Sequence, residues 1–344
     1  MSRAWITRAV AAALIVACKP GDGTGPGGGH PPPPPGVVFQ DPDFFIDGVA
    51  AFEDAWEFPA LRSATGLSAV VGVTGVAPAL APQCVGRRAA PAAPFDVFPD
   101  TALGRIYAYD SASARFRAGP GVGPAGGVEF ILPEVDSATH VVFPLQPAGT
   151  LDLFDVTSVG GVLTLQGVVT GATGGSADYQ FAVTGRADSN SGILSGRVAA
   201  PAGGRVFSFR DSTTGYLAQT TASVVVTDSG HGSQMTLIAT QTRADAFDTF
   251  YDLDFTYQSP GQRVRLLGHN TVYCLQPLIG LSVTVNDSDF ATVTTGATGA
   301  VITSLTDSAL TPAQDSAIRA LMRGQGELFN WLTSLALPAK QFLP

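Results

Sequence analysis

The spacing of apolar residues changes twice along the chain. Phe45, Val49, Phe52 and Trp56 recur at helical intervals and form one apolar stripe, which predicts an N-terminal helix. Asp47 is the candidate cap at its start, Glu53 and Asp54 are expected to face outward, and Pro59 is expected to stop it. Leu61 to Leu80 fits neither period, and Pro78, Pro82, Pro91, Pro94 and Pro99 predict an irregular crossing toward Thr101. From Gly104 the period is two. Arg105–Tyr109 and Arg115–Arg117 flank a turn at Asp110–Ser113 and read as a hairpin. Further strands are predicted at Val128–Val135, Leu151–Val156, Val162–Thr170, Tyr179–Thr184 and Ile193–Val198. Arg205–Arg210, Ala222–Val226 and Met235–Thr240 follow, with turns at Asp188–Gly192 and Asp228–Gly232.

Tyr251, Leu253, Phe255 and Tyr257 alternate with Asp252, Asp254 and Thr256, and Val264 and Leu266 alternate with Arg263 and Arg265. A type II turn centred on Pro260-Gly261 would oppose Tyr257 to Val264 and Phe255 to Leu266, leaving Asp254 diagonal to Arg265 on the other face. The helical period returns after Thr311. Thr311-Pro312-Ala313-Gln314 has the form of a capping box, and Ile318, Leu321, Met322, Leu328, Phe329, Leu332 and Leu335 form a stripe that Pro338 should end. Gly324 and Gly326 should weaken this helix by about 1 kcal/mol each relative to alanine. The expected fold is therefore mainly β. It is a long antiparallel meander sheet, open and strongly curved or barrel-like, with an N-terminal helix and a C-terminal amphipathic helix.

Ahead of this pattern lies a different kind of sequence. Arg3 and Arg8 mark a basic start, Ala9–Ala17 is uncharged, and the run closes on Ile15-Val16-Ala17-Cys18. That arrangement resembles the bacterial lipoprotein signal peptide with its lipobox. The resemblance implies cleavage after Ala17 and a diacylglyceryl group on the Cys18 sulfur. Residues 18–36 then form a Gly- and Pro-rich linker with no core-forming residue, flexible at first and stiff through Pro31–Pro35. The expected organisation is a signal peptide over 1–17, lipidated Cys18 and linker over 18–36, and one β-rich domain over 37–344. Within the domain, 37–103 is helical or irregular, 104–306 is the meander and 311–337 is the last helix.

Composition narrows the partners. With Arg3 and Arg8 removed, 17 basic residues face 28 acidic ones, a balance that disfavours nucleic acid and docking on anionic lipid. The expected membrane contact is the lipid on Cys18, with an apolar ligand or an envelope protein as the other candidate partner. The residue after Cys18 is Lys19 and not aspartate, which favours the outer membrane or periplasmic face in the resemblance. Two further cysteines, Cys84 and Cys274, would sit in an oxidising compartment, where a bridge between them is expected. Gly104 to about Thr170, with Gly127-Val128-Glu129-Phe130-Ile131-Leu132, also resembles β-rich bacterial lipoproteins of unassigned function. This likeness implies a long-stranded sheet and no site residues.

Motifs of known chemistry are missing from the sequence. There is no G-x-S-x-G, no H-E-x-x-H or C-x-x-C and no phosphate-binding loop, and the glycine-rich Gly119–Gly127 holds no lysine. No cofactor and no metal is expected. Asp188-x-Asn190-x-Gly192 and Asn286–Asp289 faintly resemble calcium loops but have ordinary turn composition. His231 reads as a turn residue, and His140 and His269 as residues beside strands without a neighbouring acid at a telling spacing. Asp252 and Asp254 would share a strand face about 7 Å apart, the separation of a carboxylate pair. Paired arginines on that face are the simpler expectation. These features favour a non-catalytic binding or structural module of the cell envelope. A carrier or sensor of an apolar ligand is the alternative, and a hydrolase without a recognisable motif comes third.

Overall fold

A computed structural model describes residues 38–66, 98, 100–136, 140–157, 162–185, 189–216, 219–243, 249–273, 276–278, 280–296, 299–306 and 308–340. Helices α1 (Pro42–Trp56) and α2 (Pro59–Gly66) precede the strands and α3 (Pro312–Lys340) follows them. The strands are β1 (Arg105–Asp110), β2 (Arg115–Ala118), β3 (Gly127–Pro133), β4 (Pro147–Asp155), β5 (Leu163–Gly171), β6 (Ser176–Gly185), β7 (Ser189–Ala199) and β8 (Val206–Tyr216). They continue as β9 (Gln219–Asp228), β10 (Ser233–Arg243), β11 (Thr249–Gln258), β12 (Arg263–Tyr273), β13 (Gln276–Leu278), β14 (Gly280–Val285), β15 (Ser288–Gly296) and β16 (Gly299–Ser304). The mainly β, antiparallel meander expected from the period of two is present.

The chain divides into two compact units. In the first, built on β1 to β8, the hydrogen-bonded order is β2-β1-β3-β4-β5-β6-β7-β8 and does not close. Inward residues such as Leu132, Leu151, Val169 and Val198 are fully buried. Helical residues cover them: Phe52 packs edge-on against Phe207, and Trp56 lies tilted against Phe209, with ring centroids 5.5 and 5.1 Å apart. Pro59 does more than stop α1. It opens α2 at the position where a missing N–H costs nothing. Ala60 of α2 then lies so close to Gly149 of β4 that a Cβ there would come within 2.7 Å of it.

One pairing departs from the expected meander. β1 pairs antiparallel with β2, as the hairpin pattern predicts, yet its other neighbour is β3, and that pairing is parallel. The glycine-rich stretch between β2 and β3 is the physical reason. It doubles back along β1, where Gly119 N–H donates to the Ile106 carbonyl and Gly123 N–H to the Gly104 carbonyl, both at 2.8 Å. A Cβ on Gly123 would sit 2.8 Å from the Arg105 carbonyl oxygen, so only glycine fits.

The second unit has the order β9-β10-β11-β12-β14-β15-β16, with β13 pairing β12 off that path. Its inner face carries Phe255, Val264, Leu266, Val283 and Val293, all fully buried. The N-terminal half of α1 lies on this face, with Phe45 edge-on to Tyr257 at 5.1 Å. Helix α3 lies beside α1. A Cβ on Gly324 would approach Val49 to 3.1 Å, so this glycine, a weak point by propensity, permits close helix packing. The capping box forms as expected: Thr311 N–H donates to Gln314 Oε1 and Gln314 N–H to Thr311 Oγ1. Ile318, Leu321, Leu328 and Leu335 of the stripe are fully buried.

Several local expectations are corrected. Asp47 lies inside α1, not at its cap, because the helix already starts at Pro42. Pro338 does not end α3, which runs to Lys340. Ser189–Gly192 belong to β7, and Asn190, Ser191 and Gly192 pair with β6, so these four residues, read as part of a turn, are extended strand. The β11–β12 register is the expected one, Tyr257 to Val264 and Phe255 to Leu266. Its turn is not type II, since Gly261 is not among the residues with positive φ. Ser259 holds the turn instead, donating from both N–H and Oγ to the Gln262 carbonyl and accepting the Gln262 N–H.

Candidate binding face

The outward residues of β10, β11, β12, β14 and β15 stand in two cross-strand rows. One runs Thr240–Asp252–His269 and the other Ile238–Asp254–Leu267–Ser282–Thr292, each step a direct register pair. Gly280 pairs Thr294 and faces the same way, and a Cβ built on it meets nothing within 4 Å. The missing side chain leaves a hollow beside His269. These residues line an open concavity of about 610 Å³.

Its chemistry is mixed. His269 Nδ1 lies 2.6 Å from Asp252 Oδ1, and both side chains are well exposed. Arg265 grips Asp254 with two parallel bonds of 2.7 and 2.8 Å. The hydrogen bond to Asp254 in turn raises the Arg265 pKa further. Asp254 is thus neutralised within the sheet, whereas Asp252 presents its carboxylate with an imidazole. Between the polar groups stand two aliphatic side chains, Ile238 and Leu267, at 41% and 43% exposure. Polar groups beside bare aliphatic surface in a hollow form the composition of a recognition surface. The Ser282 hydroxyl donates to the Leu267 carbonyl at 3.3 Å, which turns it toward the sheet backbone.

Asp252 and Asp254 therefore share a face as expected, and Asp254 takes the arginine. The partner of Asp252 was missed, because seventeen residues separate it from His269 and no motif spans them. The signal was nevertheless present: continuing the Tyr257–Val264 register along the hairpin opposes Asp252 to His269.

Elsewhere the expected turn chemistry holds. Asn286 and Asp287 adopt positive φ of 50° and 65° in the turn between β14 and β15. Asn286 Oδ1 accepts the Arg263 N–H at 2.9 Å and Asp287 pairs with the Arg263 guanidinium, so this loop is braced by protein groups. His231 lies exposed in the turn between β9 and β10. His140 sits 3.4 Å from Asp136, the acid four residues before it, on an exposed segment. Among the described residues no group of three or more His, Cys, Asp or Glu side chains is placed to hold a metal. Cys18, Cys84, Cys274 and Asp188 lie outside the described residues.

A second pair of acids stands on the first unit. Glu129 of β3 and Asp152 of β4 are directly opposed. Desolvation, with the Glu129 charge added, raises the Asp152 pKa, and its Oδ1 is shielded from solvent without a hydrogen-bond partner.

No protein family, curated protein or solved structure matches this chain.

Proposed function

We propose that the chain is a non-catalytic lipoprotein of the cell envelope, held by lipid on Cys18, and that the concave face of β10–β15 is its binding surface. The supporting observation for the anchor is the sequence Ile15-Val16-Ala17-Cys18 between an apolar segment and a Gly/Pro linker. No helix among the described residues is long and apolar enough to cross a membrane. The observation that carries the binding reading is the juxtaposition of Ile238 and Leu267 with the Asp252–His269 pair in one hollow.

Two measurements on the full chain test the two halves of the proposal. Radiolabelled palmitate should enter the wild-type protein and be lost from Cys18→Ser. Label retained by the variant overturns the anchor. A photo-cross-linking residue at Leu267 should yield a discrete adduct in intact cells, whereas one at Val122, exposed at 89%, should not. Equal yields at both positions overturn the binding face.

A further inference from the structure

The hollow in the face of β10–β15 is lined by hydrogen-bond acceptors. Asp252 is exposed and engages His269 through Oδ1, which leaves Oδ2 to a ligand. Ser282 donates its only hydroxyl hydrogen to the Leu267 carbonyl, so its lone pairs are what it offers a ligand. Thr294 stands exposed across Gly280 from His269, because the β12–β14 register continued by one pair brings Gly280 between them. Two strand spacings, about 10 Å, separate the backbones on either side of this slot. Among the described lining residues there is no lysine, arginine, phenylalanine, tyrosine or tryptophan.

Such a site calls for a ligand that donates hydrogen bonds and carries positive charge. The one guanidinium beside its two carboxylates is already held by Asp254. The whole chain, at net charge −9, attracts basic partners. Beside the acceptors, Leu267 and Ile238 offer exposed aliphatic surface on which a hydrocarbon stem can lie. We propose that the hollow receives a lysine side chain from a basic segment of a partner protein, an assignment that rests on the binding face proposed above. The lysine ammonium has three donors and no acceptor, which match Asp252 Oδ2, Ser282 Oγ and Thr294 Oγ1. Its four-carbon stem lies along Leu267.

Other ligands fit less well. An arginine fork pairs best with both oxygens of a carboxylate, and neither acid has two to give: His269 engages one of Asp252, and Arg265 holds both of Asp254. A quaternary ammonium has no N–H and calls for an aromatic cage, which the described lining residues do not supply. An anion would meet the Asp252 carboxylate. A second copy of this chain is a poor source of lysine, since it carries Lys19 and Lys340 alone.

The test uses the full chain in detergent, with methyl NMR of Ile238 and Leu267 as the readout and the peptide acetyl-Gly-Gly-Lys-Gly-Gly-amide as the probe. The peptide should shift both sets of methyl signals saturably. Acetylating its Nζ, or replacing its lysine by arginine or by the ε-hydroxyl analogue, should weaken binding about tenfold or more, the loss expected when a hydrogen bond to a charged group is removed. Asp252→Asn should weaken the lysine peptide to the same degree. Gly280→Thr should abolish its binding by filling the slot while keeping every charge. A Cβ at Gly280 meets nothing within 4 Å and threonine suits a strand, so this variant keeps the fold. Silence toward the lysine peptide, equal binding of any altered peptide, or undiminished binding by either variant overturns the lysine assignment. The Leu267 cross-link in cells is read separately: an adduct there with a silent lysine peptide leaves the binding face standing and removes only its ligand.

Discussion

Asp252 and His269 are directly opposed residues of neighbouring strands, with Nδ1 and Oδ1 2.6 Å apart. A carboxylate accepts and does not donate, so a neutral imidazole in this contact must carry its proton on Nδ1. Nitrogen-15 NMR of the histidine rings should show that tautomer at His269. Asparagine can donate as well as accept, so Asp252→Asn should shift His269 toward the Nε2–H form. Exposed pairs add little to stability, so the melting midpoint should stay unchanged. The same tautomer balance in both proteins would contradict the contact.

Glu129 and Asp152 give stability a pH dependence. The Asp152 pKa is raised in the folded protein by desolvation first and by Glu129 second. The folded state therefore holds its proton at pH values where the unfolded chain has lost it. Asp152 leaves stability intact below the ordinary carboxylate range of about 4 and lowers it as pH rises through the elevated folded value. Asp152→Asn should raise the midpoint at neutral pH, by the equivalent of up to about 1 kcal/mol for like charges directly opposed on a sheet. The gain should vanish below about pH 4. An equal gain at both pH values would place the cause elsewhere than ionisation.

How far the sequence carried this reading depended on distance along the chain. The alternation in Tyr251–Tyr257 predicts β11, its inner face and its register with β12, because period and turn are local properties. The capping box at Thr311 is likewise contained in four residues. What escaped was set by non-local contacts. The parallel β1–β3 pairing depends on a glycine loop folding back on Ile106, and nothing in the strand pattern encodes a direction. Gly324 reads by propensity as a weakness, and only Val49 on another helix gives it a purpose. The candidate face was half visible: its polar rows follow from the hairpin, but the hollow arises because Gly280 stands where a side chain would fill it.

Cys84 and Cys274 would be the two cysteines left if Cys18 carries lipid, and an oxidising compartment would then favour their union. The bridge would close a loop of about 190 residues, where loop-closure entropy gives about 5 kcal/mol before native strain is subtracted. Mass analysis of the alkylated, non-reduced full chain should find a Cys84–Cys274 peptide and no alkylated cysteine. Two alkylated thiols in the oxidised protein would refute the bridge.

Helix α3 separates the binding module from the carrier. A lid over an apolar ligand must leave its stripe lining an open space, whereas a core helix has its stripe filled on all sides. Leu321 and Ile318 are fully buried, and Gly324 lets α3 approach Val49 closely, which is the packing of a core helix. Leu321→Ala should therefore leave a cavity and lower stability by about 2–5 kcal/mol in denaturant unfolding. Arg319→Ala on the exposed side of the same helix loses only a surface ion pair and the bond to Ala300. Its effect should stay within about 1 kcal/mol, so it controls for helix propensity. If α3 were a lid, the order would reverse in kind. Leu321→Ala would then leave the unfolding midpoint unchanged and alter uptake of a fluorescent fatty acid, and that result would put the carrier reading ahead.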